Sequence, residues 1–382
     1  METVSKKLPL PAISKGLVLR TRLELLTAQL RSEPKPQLVV PAVDEIIAQV
    51  EQVWMRRGVP SSPYLWCVQQ CRQKHSFLRL PKAGLADPLP LLVALSHSAL
   101  TKPTRLVLGL RLIVGATISE IATLLGVEES VCRSRIRRGY RALARILPTV
   151  LKFNVHQCLN ELEGILDLLW GIHQSNIGQR YNRYTLLRSL LNQLLHHKNH
   201  GEIYSFLALI DFFQARLTTL ALSETFQDEN RLRWNLTFVK TGNQYLHSAY
   251  ELKHVGPFML RAQIVHEQVC APTWEDIHWL MIADLYRKLE LYSERDLLDY
   301  RDLNWGEALA RNAEVSGGLL WLEQVRERIG ENYALSYAKA RLLCRMGKMK
   351  EAITVFQAAL AQAPKQNKAA MLAQIAICAA EP

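Results

Sequence analysis

Apolar residues along this chain recur at i, i+3, i+4 and i+7 through one segment after another, among them Leu159 to Ile172, Tyr184 to Leu195 and Leu335 to Leu343. That spacing lines one face of a helix, whereas the alternation in twos that a half-buried strand needs, with β-branched residues on it, is scarce. The expected fold is therefore all-α. Clusters of helix-breaking residues mark the expected interruptions: Ser32 to Pro36, Arg56 to Pro63, Leu80 to Pro90, a stop near Pro148, and His196 to Glu202. With 382 residues the chain is long enough for two or three domains with buried cores, and 49% hydrophobic against 21% charged is the balance of a globular protein.

Charge is divided unevenly. The chain holds 47 Lys+Arg and 35 Asp+Glu, a net +12. Residues 1–146 contain 22 of the basic and 10 of the acidic residues, so the whole excess lies there, and the remainder is neutral with 25 of each. A basic front joined to a neutral back is expected of a polyanion-binding module that carries a neutral cargo. No long apolar run and no secretory leader pattern is visible, so the expected location is the cytoplasm, with no membrane partner and nucleic acid as the polyanion. Seven cysteines without a CxxC pair agree, reading as reduced thiols and against both a disulfide framework and a zinc ribbon. Cys67 and Cys71, one helical turn apart, read as core packing.

The densest charge falls in GATISEIATLLGVEESVCRSRIRRGYRAL, Gly115 to Leu143, with five arginines between Arg133 and Arg141. Thr117 is placed to cap a helix, and Glu120 three residues on closes a capping box. That helix carries Ile121, Ala122, Leu124 and Leu125 up to Gly126, which supplies a tight turn. In the second helix Cys132, Ile136, Gly139 and Leu143 fall at spacings of 4, 3 and 4, one buried stripe. Ser130, Ser134, Arg137 and Arg141 take the opposite side, with Arg133 and Arg138 on its flanks. A small residue at the crossing, glycine at the turn and an apolar residue beyond it are the spacing of a helix-turn-helix.

Groove chemistry explains the residue types. A helix in the major groove needs long cations whose forks reach phosphates and guanine edges, and short hydroxyls where it comes close to the bases. A merely solvated face would mix signs to gain i,i+4 pairs, and no acid occurs from Arg133 to Arg145. The DNA-binding candidates are therefore Ser130, Arg133, Ser134, Arg137, Arg138 and Arg141, with double-stranded DNA as ligand.

This stretch resembles region 4 of bacterial sigma factors of the extracytoplasmic-function (ECF) group, the domain that reads the −35 promoter element. The preceding segment from Ala86 to Leu112 resembles the first helices of the same region. Upstream, WMRRGVPSSPYLWCVQQCRQKHSFLR is similar to the end of sigma region 2 in one subgroup, with Trp54, Gly58, Pro60, Pro63, Trp66 and Arg72 on its pattern. LALIDFFQAR (Leu207 to Arg216), DENRLRWN (Asp228 to Asn235), GPFMLRAQI (Gly256 to Ile264), WLMIADLYRKL (Trp279 to Leu289) and LNWGEALA (Leu303 to Ala310) are similar to blocks of that subgroup's C-terminal helical extension. The likeness runs from about residue 40 to about residue 370.

The resemblance implies three parts: a degenerate, region-2-like helical domain over residues 1–80, the helix-turn-helix domain over 86–148, and a helical extension over 150–382. It also implies a transcription initiation function with promoter DNA and core RNA polymerase as partners, the polymerase contacts falling on Glu45, Trp54, Trp66 and Arg72. The pattern is broken by Pro41 within the first helix and by Phe77 in place of an aspartate, which marks region 2 as degenerate. Trp279 is implied to be a core position.

A tetratricopeptide unit of about 34 residues, counted from Tyr333 and covering about 333–366, places Ala340, Leu343, Gly347, Ala352, Phe356, Ala359 and Pro364 at its packing and turn positions. Ser336 and Lys339 stand where large apolar residues are usual, so one terminal repeat is expected rather than an array, with a protein partner on this domain. No phosphate-binding GxxxxGK[ST], GxSxG or HExxH motif occurs. His196, His197 and His200 have no carboxylate or cysteine beside them and read as a frayed helix end. Neither a catalytic residue, a metal nor a cofactor is expected, and the chain does not read as an enzyme. Two other readings stand beside the sigma factor: a DNA-binding regulator that no longer loads polymerase, and a repeat scaffold whose basic front binds nucleic acid.

Overall fold

A computed structural model describes residues 21–22, 25–26, 29–30, 36–57, 63–74, 89–150, 162–174, 183–217, 230–292, 306, 308–311, 315–331, 333–363 and 365–380. Every regular element among them is helical, as the apolar period predicts. The chain divides into two compact units, 1–199 and 200–382. No helix among the described residues is long and apolar enough to cross a membrane.

The first unit contains α1 (Pro36–Arg57), α2 (Pro63–Lys74), α3 (Leu89–Ser96), α4 (Lys102–Gly109), a π-helical turn (Leu110–Val114), α5 (Ile118–Leu125), α6 (Glu129–Val150), α7 (Leu162–Gln174) and α8 (Arg183–His197). Pro36 and Pro63 open their helices, where the missing N–H is one that no helix satisfies anyway. All eight residues of α3 are buried, the mark of a helix that is apolar all round and sits inside. Helix α6 packs on α3, α4 and α5 and touches α1, and α7 lies against α3 and α4. The core thus reaches past residue 150. The break expected near Pro148 is present: α6 ends at Val150, with Pro148 in its last turn.

The second unit contains α9 (Gly201–Ala215), a 3-10 turn (Arg231–Arg233), α10 (Leu236–Glu251), α11 (Pro257–Cys270), α12 (Trp279–Leu289), α13 (Val315–Ile329), α14 (Tyr333–Arg345), α15 (Met349–Gln362) and α16 (Lys365–Ala380). Helix α9 is its most buried element and packs against α10 and α11, with Phe206 stacked on Phe258 at 4.5 Å. Buried Glu202 accepts from the backbone N–H of Phe258 at 2.9 Å and of Met259 at 3.0 Å, so one side chain of α9 caps the start of α11. Burial pushes its carboxyl up, and those two N–H groups draw it part of the way back. Trp279 is half-buried, with its ring edge-on to Trp274 at 5.0 Å and Arg311 over both.

Helices α14 and α15 form a hairpin that turns at Gly347, whose φ of +72° is one that glycine adopts freely. Ala340, Ala352, Phe356 and Ala359 are all at 0% exposure in its seam and around it, so alanines admit a close approach and Phe356 fills the gap. Pro364 lies outside the described residues. The expectation of reduced thiols fails at one pair: Cys344 on α14 and Cys378 on α16 form a disulfide with Cα atoms 6.6 Å apart. They are 34 residues apart in the chain, and their meeting is a tertiary event that no local spacing announces. Cys67 and Cys132 are buried and Cys270 is exposed. Reducing the disulfide is expected to destabilise the C-terminal helices by about 3–4 kcal/mol, the loop-closure entropy of a ring this size. Urea unfolding of the second unit with and without a phosphine reductant measures it, and an unchanged midpoint would contradict it.

Candidate nucleic-acid interface

The capping box expected before α5 is present. Glu120 N–H donates to the Thr117 hydroxyl oxygen at 3.2 Å, and the Glu120 carboxylate accepts from Thr117 N–H at 2.7 Å and from its hydroxyl at 2.8 Å. At the other end Gly126 takes φ +61°, and Val127 N–H reaches back to Ala122 carbonyl at 3.1 Å, a left-handed cap that stops the helix and starts the turn. Helix α6 begins two residues later. Its stripe of Cys132, Ile136, Gly139 and Leu143 is buried as the spacing predicts. Gly139 is where α6 lies tightest on α4, since a Cβ there would come within 2.6 Å of Leu108 Cδ1.

On the outer side Arg133, Arg137, Arg138, Arg141 and Arg145 are exposed and Ser134 is half-buried. Arg133 differs from the rest: it pairs with Glu129 one turn back at 2.6 Å, while Ser130 Oγ donates to the Glu128 carboxylate at 3.0 Å. Those contacts tie the first turn of α6 to its own acids. Arg137, Arg138, Arg141 and Arg145 have no acidic partner among the described residues, and they recur at the 3.6 period along one side. Like charges this close repel, so a free helix gains nothing from them; an opposed row of phosphates would.

A second cluster lies at the entry to α5, and it had no signature in the sequence. The Asp44 carboxylate on α1 accepts from Arg22 Nε at 2.9 Å and Nη2 at 2.6 Å with one oxygen, and from Arg111 Nη2 at 2.8 Å with the other. Arg22, at 3% exposure, also donates to the carbonyls of Leu112 and, at 3.2 Å, Arg111. Arg111 Nη1 donates to Ala116 carbonyl at 3.0 Å, next to the cap residue of α5. Burial pushes the pKa of the Tyr140 phenol on α6 up, with the charges of Arg111 and Arg22 opposing. The partners of Arg22 and Asp44 are 22 to 90 residues apart, too far for any periodicity to link.

The candidates from the N-terminal resemblance are scattered by comparison. Glu45 is exposed on α1, Trp54 on the same helix is buried at 1%, and Trp66 on α2 is half-buried. The side chain of Arg72 and the residue Phe77 lie outside the described residues. His196 and His197 close α8, but His200 is no frayed end: its Nδ1 accepts from Glu202 N–H at 3.3 Å, capping α9, and its ring lies 4.4 Å from that of His254. No group of three metal-ligating side chains occurs among the described residues.

No protein-family profile matches the chain. It is similar to an uncharacterized protein, R00370, of Rhizobium meliloti (strain 1021), 21% identical over 406 residues that cover 94% of this chain and 95% of that protein. The likeness therefore spans both units. No solved structure matches.

Proposed function

We propose that this chain is a transcription protein that docks α6 in the major groove of duplex DNA. The observation that carries the reading is the row Arg137, Arg138, Arg141 and Arg145, exposed and without acidic partners among the described residues, on the second helix of a capped helix-turn-helix. Ser134 and Arg137 lie at the N-terminal end of that row, the end of a recognition helix that contacts bases, and are assigned to base edges, and Arg138, Arg141 and Arg145 to phosphates. The concentration of all net charge in residues 1–146 supplies the attraction.

The fuller form of the proposal is an ECF-type initiation factor that also recruits core RNA polymerase through α1 and α2, with Glu45 on the exposed side. The regulator that binds DNA without loading polymerase is favoured by a specific observation: Trp54 is core and Asp44 ties α1 to the helix-turn-helix, leaving less of α1 to offer a partner. In either form the α14–α15 hairpin serves as a tetratricopeptide-like platform for a protein partner. Titrating the purified chain with a random-sequence duplex at several salt concentrations tests the core of the proposal. The expected slope of log affinity against log salt is about −3 for three phosphate contacts at roughly −0.9 each. Salt-insensitive or absent binding sinks it. Capture of core polymerase then separates the two forms.

A further inference from the structure

The three C-terminal helices do not hold one another equally. Helices α14 and α15 close on a seam in which Ala340, Phe356 and Ala359 are all at 0% exposure. Helix α16 lies along α15 and offers the seam one side of itself. Its Cys378 joins the apolar cluster of Ala340 and Phe356, with Ile375 packed against it, and its Met371 joins Ala359 and Ala363. Met371, Ile375 and Cys378 fall at i, i+4 and i+7, so they share a face. Other positions look outward, with Leu372 at 54% and Ile377 at 52% exposure. A helix of 16 residues is marginal in water by itself, so α16 depends on those few inward side chains and on whatever else fixes it.

The other fixture is covalent. Cys378, buried near the end of α16, is bonded to Cys344, which is half-buried in the last turn of α14. A stack of helix pairs leaves an apolar face at its last unit and needs a terminal cap there. Here the cap is held at its start by the chain that leads from α15 and near its end by sulfur. In a reducing compartment, where the sequence reading places the chain, such a bond is a transient one.

We infer that α16 is a redox-operated cover: while Cys344 and Cys378 are bonded it is held over the α14–α15 seam, and when they are reduced it comes away and opens that seam. The step is exchange with a small thiol. Its thiolate attacks Sγ of Cys344, the more exposed of the two, and the Cys344–Cys378 bond breaks as Cys378 leaves as a thiolate and takes up a proton. A second thiol then displaces the first from Cys344, so two small thiols give up two electrons to become one disulfide, and the two cysteines receive them. A small disulfide reverses the exchange. As a control on the platform proposed for a protein partner, which it presupposes, the cover decides when that face is open.

Hydrogen exchange of the full chain, oxidised and after treatment with a phosphine reductant, tests this. Reduction is expected to speed exchange of the α16 amides by on the order of 100-fold, while those of α14 and α15 stay within about tenfold of their oxidised rates. A dye that fluoresces on exposed apolar surface should brighten at the same time. Cys344→Ser should show the reduced pattern without reductant and no response to it, which assigns the effect to this bond and not to Cys67, Cys132 or Cys270. Unchanged α16 exchange on reduction overturns the inference. So does an equal loss of protection through α14, α15 and α16, the result of a bond that stabilises the three helices as a block. Seven alkylatable thiols in the chain after air oxidation also overturn it, since the pair then does not bond. If Cys344→Ser does not fold, Cys378→Ser and the reduced parent chain carry the comparison. None of these readouts uses a partner, so a working cover on a chain that captures no partner removes the platform reading and leaves the cover standing.

Discussion

Replacing Arg137, Arg138 and Arg141 together by alanine is expected to lower affinity for duplex DNA by on the order of 10³-fold, about 4 kcal/mol. All three are exposed on one side of α6 and lack acidic partners among the described residues, so the substitution breaks no internal pair. Each arginine that neutralises a phosphate adds roughly 0.9 to the salt slope, so losing Arg138 and Arg141 should flatten the slope by about two. The base-reading share, assigned to Arg137, appears separately as a loss of about 1–3 kcal/mol confined to the preferred sequence. Stability should hold or rise slightly, since three mutually repelling charges leave the surface. Arg133→Ala is the matched control: its charge is already paired with Glu129, so a smaller loss is expected. Anisotropy titrations across salt measure all of this, and a triple variant that binds like its parent removes α6 as the recognition helix.

Ile136→Asp is expected to destabilise the first unit by about 5 kcal/mol and to abolish duplex binding with it. Ile136 is 8% exposed on the inner stripe of α6, between Cys132 and Leu143, which are both at 0%. The substitution removes the packing of a large aliphatic side chain and leaves a carboxylate facing apolar neighbours. Arg135 and Arg137 beside it point around the helix and do not enter the stripe. Hydrogen exchange resolves the effect: amides of α5 and α6 should lose protection while those of α9 to α11 in the second unit keep theirs. Retained protection in α6 would show that the stripe is not the seam that holds it.

How much of this was legible in advance depended on the distance over which the information was encoded. The capping box of Thr117 and Glu120, the turn at Gly126, the buried stripe of α6 and the small-residue seam around Phe356 are each written within a single helix or hairpin. Their residues meet because of backbone geometry that repeats every few positions, and periodicity reveals it. The break near Pro148 was legible for the same reason, since α6 ends two residues beyond it. Where the local reading failed, contacts beyond the periodic pattern decided: His200 reads as part of a frayed helix end, yet its Nδ1 accepts from Glu202 N–H and its ring lies against that of His254, 54 residues on.

The sequence by itself determined that the chain is helical, that its positive charge is concentrated in the first two-fifths, and which arginines share a side of α6, because composition and the 3.6 period act at short range. Only the tertiary structure decided that Trp54 is core, that Cys344 meets Cys378, that α7 belongs with the N-terminal helices, and that Arg22, Asp44 and Arg111 form one cluster at the entry to α5. Charges and thiols have no periodicity of their own. Which of them meet is set by how apolar faces stack, and that outcome is a property of the whole packed unit rather than of any window along the chain.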